Sequence, residues 1–485
     1  MRYIMANNTK NGKKRKIAVM KFGGTSVGGA DAISQAADII ADQAVKWNHL
    51  VVVVSAMSGV TDGLIACARS SVGGDEKKTQ ATLADLHTRH QHTIEQLLKE
   101  SEERDQLRTN IDGFFDEINA FCSGIQVMGE VTQRGMDTVT SFGERMNARI
   151  FTAVLEERGV ASQAVDATEL IITNNHHQEA NPLMEVTQAG VTERLLPLLK
   201  NKVVPVVTGF IGATEEGDIT TLGRGGSDYT ASILGVCLDA AEVWTWTDVD
   251  GVMTADPRLV PNAQIIPELS YEEISEMAYF GAKVLHPKTI RPIVEREIPL
   301  RVKNTFNPEC PGTLINKPEL VRGKISAVTS IHGLSLVTVE GRGMIGVPGI
   351  AARTFSAVAK QGASVLMISQ SSSEQSICFI VPEGTAKGVI HAIEREMEIE
   401  LHRRDIDRVW AQSDVVIVTV VGAGMRSTPG VSARVFGALW QANINDIAIA
   451  QGSSEHSISI VISAEDAEEA VRQIHEEVII NGQSK

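Results

Sequence analysis

Short, uninterrupted apolar runs alternate along the chain with longer amphipathic stretches. Residues 17–21 (IAVMK) and 50–55 (LVVVVS) are β-branched runs suited to buried parallel strands, and residues 29–46 between them carry apolar positions at helical spacing. Strand, helix and strand in that order predict an α/β start. Residues 76–122 break the rhythm: they are charged, with Leu86, Ile94, Leu97 and Leu98 at helical intervals, which predicts a helical hairpin inserted after the second strand. The α/β pattern resumes at 150–171, 203–207 (VVPVV) and 242–247 (EVWTWT) and continues to about 305. Residues 307–320, rich in Pro and Gly, read as a connection between domains.

An internal repeat follows. Residues 343–381 align without a gap on 424–462, matching Met344 with Met425, Gln370 with Gln451 and Glu374 with Glu455. Each copy reads strand, Pro-Gly turn, amphipathic helix, strand, Ser-rich turn, strand, with a charged helix after it near 384–400 and 464–478. That pattern predicts two small ferredoxin-like βαββαβ units, which together can bury sheet edges or faces that one copy would expose. The apolar stretch 324–331 (KISAVTSI) precedes 334–341 (LSLVTVEG) too closely for both to be strands of one hairpin in the first copy.

Bulk properties narrow the partners. A length of 485 residues suggests two to four domains, and the 43% apolar and 22% charged fractions are ordinary for a globular protein. A net charge of -15 argues against non-specific binding to nucleic acid or anionic membranes, while leaving room for a local basic pocket. No apolar run approaches the roughly 20 residues of a membrane span. The polar, weakly basic residues 1–16 lack the apolar core of a secretory signal and read as a frayed tail, with a targeting role as the alternative. Cys67, Cys122, Cys237, Cys310 and Cys378 form no CxxC pair, so reduced structural thiols in the cytoplasm are expected, with neither a zinc site nor a disulfide frame.

Candidate chemistry gathers where strands end. Lys21 precedes Gly23 and Gly24 in KFGGTS, and a strand running into Lys-x-Gly-Gly can bring backbone N–H groups and one cation to phosphate oxygens. Alone, the motif fits an ordinary strand–turn as well. There is no Walker A pattern. A second glycine loop, TTLGRGGSDYTA at 220–231, sets Arg224 between glycines, with Ser227 and Asp228 opening a helix. A helix N-terminus favours anions and an arginine offers a fork for a carboxylate, although Asp228 would also serve as a cap. SFGER at 141–145 reads as a helix start with Glu144 and Arg145 just inside it. Ser55 and Thr61 flank Gly59 beyond the second strand, on the sheet end where ligands collect in α/β folds. Thr247, Asp248, Met253 and Arg258 belong to the acid-rich turn WTDVDGVMTADPR, and Lys283 in FGAKVLHP is a second cation, with His286 as a turn residue before Pro287. GRGMIG at 341–346 matches a dinucleotide fingerprint, but the next strand ends in Ser369 and Gln370 where an acid would be needed.

Taken together, KFGGTSV, VVSAMSGVTD, SFGER, TTLGRGGSDYTA, WTDVDGVMTADPR and FGAKVLHP resemble the aspartate kinases (aspartokinases), in order, from about residue 16 onward. QSSSEQSI and QGSSEHSI resemble the paired regulatory ACT domains of that family. The resemblance implies an amino-acid-kinase (carbamate-kinase-like) α/β/α sandwich over 16–306 with its helical insertion near 76–122, a linker at 307–321, a first ACT unit at 334–400, and a second at 412–480 completed by 324–331. It implies transfer of the γ-phosphoryl group of MgATP to the side-chain carboxylate of L-aspartate, opening the biosynthesis of lysine, threonine, methionine and isoleucine. Lys21, Asp228 and Lys283 would be catalytic; Ser55, Thr61, Glu144, Arg224, Ser227 and Asp228 would bind aspartate. The nucleotide would meet Lys21, Phe22, Gly23, Gly24, Thr247, Asp248, Met253, Arg258, Lys283 and Val284, with Mg²⁺ held mainly through the ATP phosphates and no protein metal site. Met253 departs from the family, where Tyr is frequent; a thioether can pack against a base. A regulatory amino acid, threonine favoured over lysine, would meet Gln370 and Gln451, and the ACT units would join the chain into a dimer or tetramer. The chain ends after the second ACT unit, so a monofunctional enzyme is expected rather than one fused to homoserine dehydrogenase. A non-catalytic amino-acid sensor is the alternative; the intact Lys21, Glu144, Arg224 and Asp228 set speaks against it.

Overall fold

A computed structural model describes residues 17–282, 285–317, 324–344, 347–370, 375–425, 428–451 and 456–484. Two compact units emerge: residues 1–252 with 285–317, and 253–284 with 318–485.

In the first unit the β-branched runs become β1 (Ile17–Phe22), β2 (His49–Val54), β3 (Ser162–Val165), β4 (Val204–Thr208) and β7 (Glu242–Thr247); β5 (Ile211–Ala213) and β6 (Ile219–Thr221) form a separate hairpin. β9 (Leu300–Asn304) and β10 (Thr313–Asn316) extend the main sheet, giving the order β3-β4-β2-β1-β7-β9-β10, parallel except where β10 meets β9. α1 (Ala30–Lys46), α2 (Val60–Val72), α3 (Glu76–Leu97), α4 (Glu102–Met128) and α5 (Gln133–Glu157) share one core cluster with Met20, Phe22, Val52 and Val54. α3 and α4 are the expected hairpin; each is capped by a side chain, Asp75 accepting from Lys78 N–H and Ser101 from Arg104 N–H. α6 (Met184–Lys200), α7 (Gly226–Cys237) and α9 (Pro287–Glu295) complete the unit, and α7 packs on β1, β2 and β7. Because successive strand residues point to opposite faces, β1 sends Met20 and Phe22 into the α1–α5 core and Lys21 the other way, toward α7.

The second unit contains β8 (Glu268–Ser270), α8 (Tyr271–Tyr279) and the C-terminal repeats. Its helices are α10 (Ile350–Lys360), α11 (Glu383–Glu396), α12 (Glu398–Arg403), α13 (Val431–Gln441) and α14 (Ala467–His475). Its six-stranded sheet runs β12 (Met367–Gln370), β13 (Ser376–Pro382), β11 (Ile325–Glu340), β14 (Arg408–Gly422), β16 (Ser457–Ser463), β15 (Ala448–Ala450). The two apolar stretches at 324–341 form one long strand, β11, with its register broken between Ile331 and Leu334. Its first half pairs only with β14, beside the part of β14 that pairs with β16, whereas 334–340 lies between β13 and the start of β14. α10 and α11 cover one half of the sheet around Val337, Phe379 and Ile393; α13 and α14 cover the other around Val418, Ile460 and Ile474. The terminal strands β12 and β15 come back toward each other, and the Ser369 hydroxyl donates to the Ile449 carbonyl at 3.4 Å.

Candidate active site

The site is built at the carboxyl ends of β1, β2 and β7 and the N-terminus of α7, where an open parallel sheet receives ligands. Lys21 is buried, and its Nζ lies 2.8 Å from Asp228 Oδ1 in the first turn of α7. The Thr245 hydroxyl of β7 donates to the same carboxylate oxygen at 3.4 Å. Asp228 is therefore not the cap: that position is Gly225, and the carboxylate is spent on the lysine. A Cβ on Gly23 would stand 3.3 Å from the lysine Nζ, so the absence of a side chain keeps the ammonium's approach clear. Ser26 closes the turn structurally, donating to the Trp246 carbonyl at 3.2 Å and accepting from Thr305 at 2.7 Å.

Phe22 requires a correction. Its ring is fully buried, stacked on Trp246 at 5.8 Å between centroids and tilted against Phe151, on the sheet face opposite Lys21. It is a core residue and its side chain lines no phosphate site.

Ser55, just past β2, donates to Ser227 Oγ at 2.9 Å and so ties the β2 end to α7. Its carbonyl accepts from Asn147 Nδ2 at 2.6 Å. Glu144 lies on the same face of α5, three residues earlier, buried at 4% exposure. One of its oxygens takes a hydrogen bond from the Ala56 backbone; Oε2 has no partner among the described residues. Loss of hydration outweighs that bond and pushes the carboxyl up to about 8. A buried carboxylate oxygen without a donor is costly unless a cation arrives. The expected helix start at SFGER is also corrected: α5 begins at Gln133 under the Thr132 cap, and Glu144 sits mid-helix. Gly143 reads as a breaker but serves close packing, since a Cβ there would lie 2.8 Å from Ala56 Cβ. Arg145 turns away, pairing with Asp166 at 3.2 Å. Thr61 is half-buried in the first turn of α2.

Gly223 and Gly225 both have φ in the left-handed region, at 78° and 71°, and the turn they make presents Arg224 to solvent, without a hydrogen bond or ion pair among the described residues. Thr247 and Asp248 close β7, where the Thr247 hydroxyl donates to Asp248 at 3.0 Å. His286 caps α9 by accepting from Lys288 N–H, as a turn residue would. Met253 and Arg258 belong to the second unit, where Arg258 forms an exposed ion pair with Asp256 at 2.5 Å. Lys283 and Val284 lie outside the described residues. Gln370 ends β12 and Gln451 follows β15, both exposed, so the two glutamines stand at the ends of the two edge strands; the Ser-Ser-Glu turns after them lie outside the described residues. Asn147 was not expected from any motif; its spacing from Glu144 on one helical face is the only signal it offered.

Comparison with known proteins adds the family. Residues 16–304 match the amino acid kinase family, and residues 337–397 and 418–478 each match an ACT domain. Aspartokinase 1 of Arabidopsis thaliana, a chloroplast protein, is 32% identical over 497 residues, covering 98% of this chain and 82% of the relative. This chain belongs to the aspartokinase family. Escherichia coli aspartokinase III in complex with aspartate and ADP superposes with a TM-score of 0.79 at 31% identity, over 96% of this chain and all of that one; its complex with lysine and aspartate gives 0.77. The bifunctional aspartokinase/homoserine dehydrogenase of Haemophilus influenzae is 38% identical over 473 residues, 96% of this chain but 56% of the relative. The chain thus spans about half the length of the bifunctional relatives it matches. Among the described residues no helix is long and apolar enough to cross a membrane.

Proposed function

We propose that the chain is an aspartate kinase, which transfers the γ-phosphoryl group of ATP to the side-chain carboxylate of L-aspartate and releases ADP and 4-phospho-L-aspartate. The observation that carries this reading is the pairing of a buried lysine at the end of β1 with a buried, unpartnered Glu144 oxygen beside the end of β2. One recognises a phosphate, the other an ammonium group.

An aspartate side chain is already ionised at neutral pH, so it attacks phosphorus without a general base. The new bond joins a carboxylate oxygen to Pγ, and the bond from Pγ to the bridging oxygen of ADP breaks. Such a reaction is accelerated by positioning and by neutralising charge on the phosphoryl oxygens. Lys21 supplies one positive charge, held in place by Asp228. Glu144 receives the substrate ammonium, Arg224 forks its α-carboxylate, and Ser55, Thr61 and Ser227 line the same pocket. Thr247 and Asp248, with Met253, Arg258, Lys283 and Val284 on the strength of their motifs, are assigned to the nucleotide. Among the described residues no cluster of three His, Cys, Asp or Glu side chains is placed to hold a metal. The Asp228 carboxylate is engaged by Lys21, so an Mg²⁺ arriving with ATP would take most of its ligands from phosphate and water. Bound there, the ion would supply further charge neutralisation.

The paired ACT units support feedback control by an amino acid. A glutamine amide both donates and accepts, which suits a small hydroxyl amino acid, so threonine is assigned to Gln370 and Gln451. Lysine is the second reading, favoured by the lysine complex of E. coli aspartokinase III. The test is ATP-dependent formation of aspartyl hydroxamate in hydroxylamine, with glutamate as the control acceptor, repeated with threonine, lysine and both. Hydroxamate formed equally with glutamate, or none with aspartate, overturns the reading.

A further inference from the structure

α5 carries a second buried carboxylate, two turns before Glu144 and on the same face. Asp137 is 1% exposed, and both of its oxygens are hydrogen-bonded. Oδ1 accepts from the Thr221 hydroxyl at 2.7 Å. Oδ2 lies 2.8 Å from His177 Nδ1 and accepts from the Gln178 backbone N–H at 3.1 Å. Among the described residues these side-chain bonds go to two segments only, the last residue of β6 and the loop at 177–178. A buried carboxylate is tolerated when its oxygens are met in this way, and removing one partner leaves a polar group unmatched.

The two segments meet at Gly223. Ala180 N–H donates to the Thr221 carbonyl at 2.9 Å, which carries the link beyond the carboxylate. A Cβ on Gly223 would stand 3.1 Å from the Gln178 carbonyl oxygen, so the loop is pressed on the turn itself. Gln178 makes this approach with a left-handed backbone, φ 70°, which is strained for a residue with a Cβ. Such strain persists only where surrounding contacts hold it, and here the Gln178 N–H is held by Asp137. The next residue after Gly223 is Arg224, which is exposed and has no hydrogen bond or ion pair among the described residues. Arg224 is therefore placed by its backbone alone, and that backbone is anchored at Asp137.

We propose that Asp137 is a positioning residue for the amino-acid substrate: by clamping the 177–178 loop to the end of β6 it fixes the turn between Gly223 and Gly225, and with it the reach of Arg224. α5 then sets both recognition groups, Glu144 directly and Arg224 through Asp137. Their spacing selects an α-amino acid whose ammonium and α-carboxylate are bound at once. This rests on the kinase reading above.

The test uses the full chain and a double-mutant cycle. Asp137→Asn removes the carboxylate, Thr221→Val removes the hydroxyl while keeping its shape, and Thr221→Ser retains the hydroxyl. Val139→Ala, at a buried core position of the same helix, controls for lost stability. KM for aspartate and for ATP are measured separately, with and without Arg224→Ala. Asp137→Asn and Thr221→Val are expected to raise the aspartate KM about fivefold or more, with the ATP KM within about twofold. Thr221→Ser should stay near the wild type. In the Arg224→Ala background the same changes should add less than about twofold, because the group that they position is gone. Val139→Ala should lower the melting temperature without moving the aspartate KM. If Asp137→Asn fails to fold, Thr221→Val carries the test. An aspartate KM that is unchanged in Thr221→Val, raised equally in Val139→Ala, or raised as much without Arg224 as with it overturns the proposal. Failure of the kinase reading is separate: it shows as a wild-type chain that makes no hydroxamate.

Discussion

The Lys21 ammonium and the Asp228 carboxylate stand 2.8 Å apart, joining the buried strand β1 near its end to the first turn of α7. Lysine has a flexible four-carbon stem, and an unpaired ammonium there would sample several rotamers. The carboxylate restricts it, and the Thr245 hydroxyl restricts the carboxylate. A charge that is already in place costs no reorganisation when phosphate charge develops. Replacing Lys21 with Ala is expected to lower kcat by about 100-fold or more while the aspartate KM changes less. Steady-state kinetics on a variant shown to be folded by circular dichroism would check it; near-normal turnover would remove Lys21 from the reaction.

Glu144 makes substrate binding depend on pH. With the carboxyl pushed up to about 8 by burial, it is mostly protonated at pH 7 in the free enzyme. An incoming ammonium favours the ionised form, so binding must expel a proton. Calorimetry of aspartate binding at pH 7 in buffers of different ionisation enthalpy should show close to one proton released, falling toward zero above pH 9. Aspartate affinity should rise from pH 6 to 8. Glu144→Gln should abolish both dependences and raise the aspartate KM. Binding without proton exchange at pH 7 would show that the ammonium goes elsewhere.

Arg224 is exposed on a turn that two left-handed glycines create. If it forks the α-carboxylate, Arg224→Ala should raise the aspartate KM about tenfold or more, with the ATP KM little changed. Arg224→Lys should recover only part, because a point charge cannot bind a carboxylate through two parallel bonds. The reverse pattern, with the ATP KM raised and the aspartate KM intact, would reassign the loop to the nucleotide.

For the regulatory unit, Gln370→Ala and Gln451→Ala should each raise the threonine concentration needed for half inhibition, leaving uninhibited activity nearly intact. An inhibitor must bind the inactive state better than the active one, so the same variants should lose threonine's protection against heat. Millimolar threonine that neither inhibits nor protects would pass the assignment to lysine.

His90 offers a stability test away from the site. Its ring is fully buried in the α3–α4 hairpin, edge-on to Phe115, with Nδ1 2.6 Å from the Leu86 carbonyl; burial pushes it down to about 4. Between about pH 4 and 6.5 the unfolded chain then binds a proton that the native one does not, and stability falls as pH falls. The loss reaches about 3 kcal/mol at the low end if the hairpin unfolds with the rest. Urea unfolding at pH 7 and pH 5 should show a smaller pH effect in His90→Leu than in the wild type; equal slopes would mean that the ring is protonated in the native state.

Local patterns announced the α/β sheet, the helical hairpin and the repeated C-terminal units because each rests on periodicity within a short window. Lys21 and Asp228 were legible for the same reason, as a strand end and a helix start. The Phe22 side chain shares a motif with Lys21 but not a face, since strand alternation places residues 21 and 22 on opposite sides of the sheet. Glu144 was identified but placed at a helix start, because Gly143 suggests a break when the surface it packs on, Ala56, lies 87 residues away. The contact between Asp137 and Thr221 spans 84 residues and leaves no local trace at either end.

β11 is a single 16-residue strand that serves both halves of the regulatory sheet. The two repeats are consecutive in sequence but interlaced in space, like two pages sewn on one thread. Neither can be excised as an autonomous module: a chain stopped after residue 404 would strand Ile325–Ile331 without β14, and a fragment begun there would lack the strand that borders β14 from the other side. Synthesis from the N-terminus therefore leaves the first-made segment of this sheet, Ile325–Ile331, waiting until its partners Ile417–Gly422 emerge, so this part of the sheet forms only after the first repeat is complete. Duplication of such a gene segment yields a working pair only if the copies exchange strands, which makes the pair, not the single repeat, the unit that evolution can move.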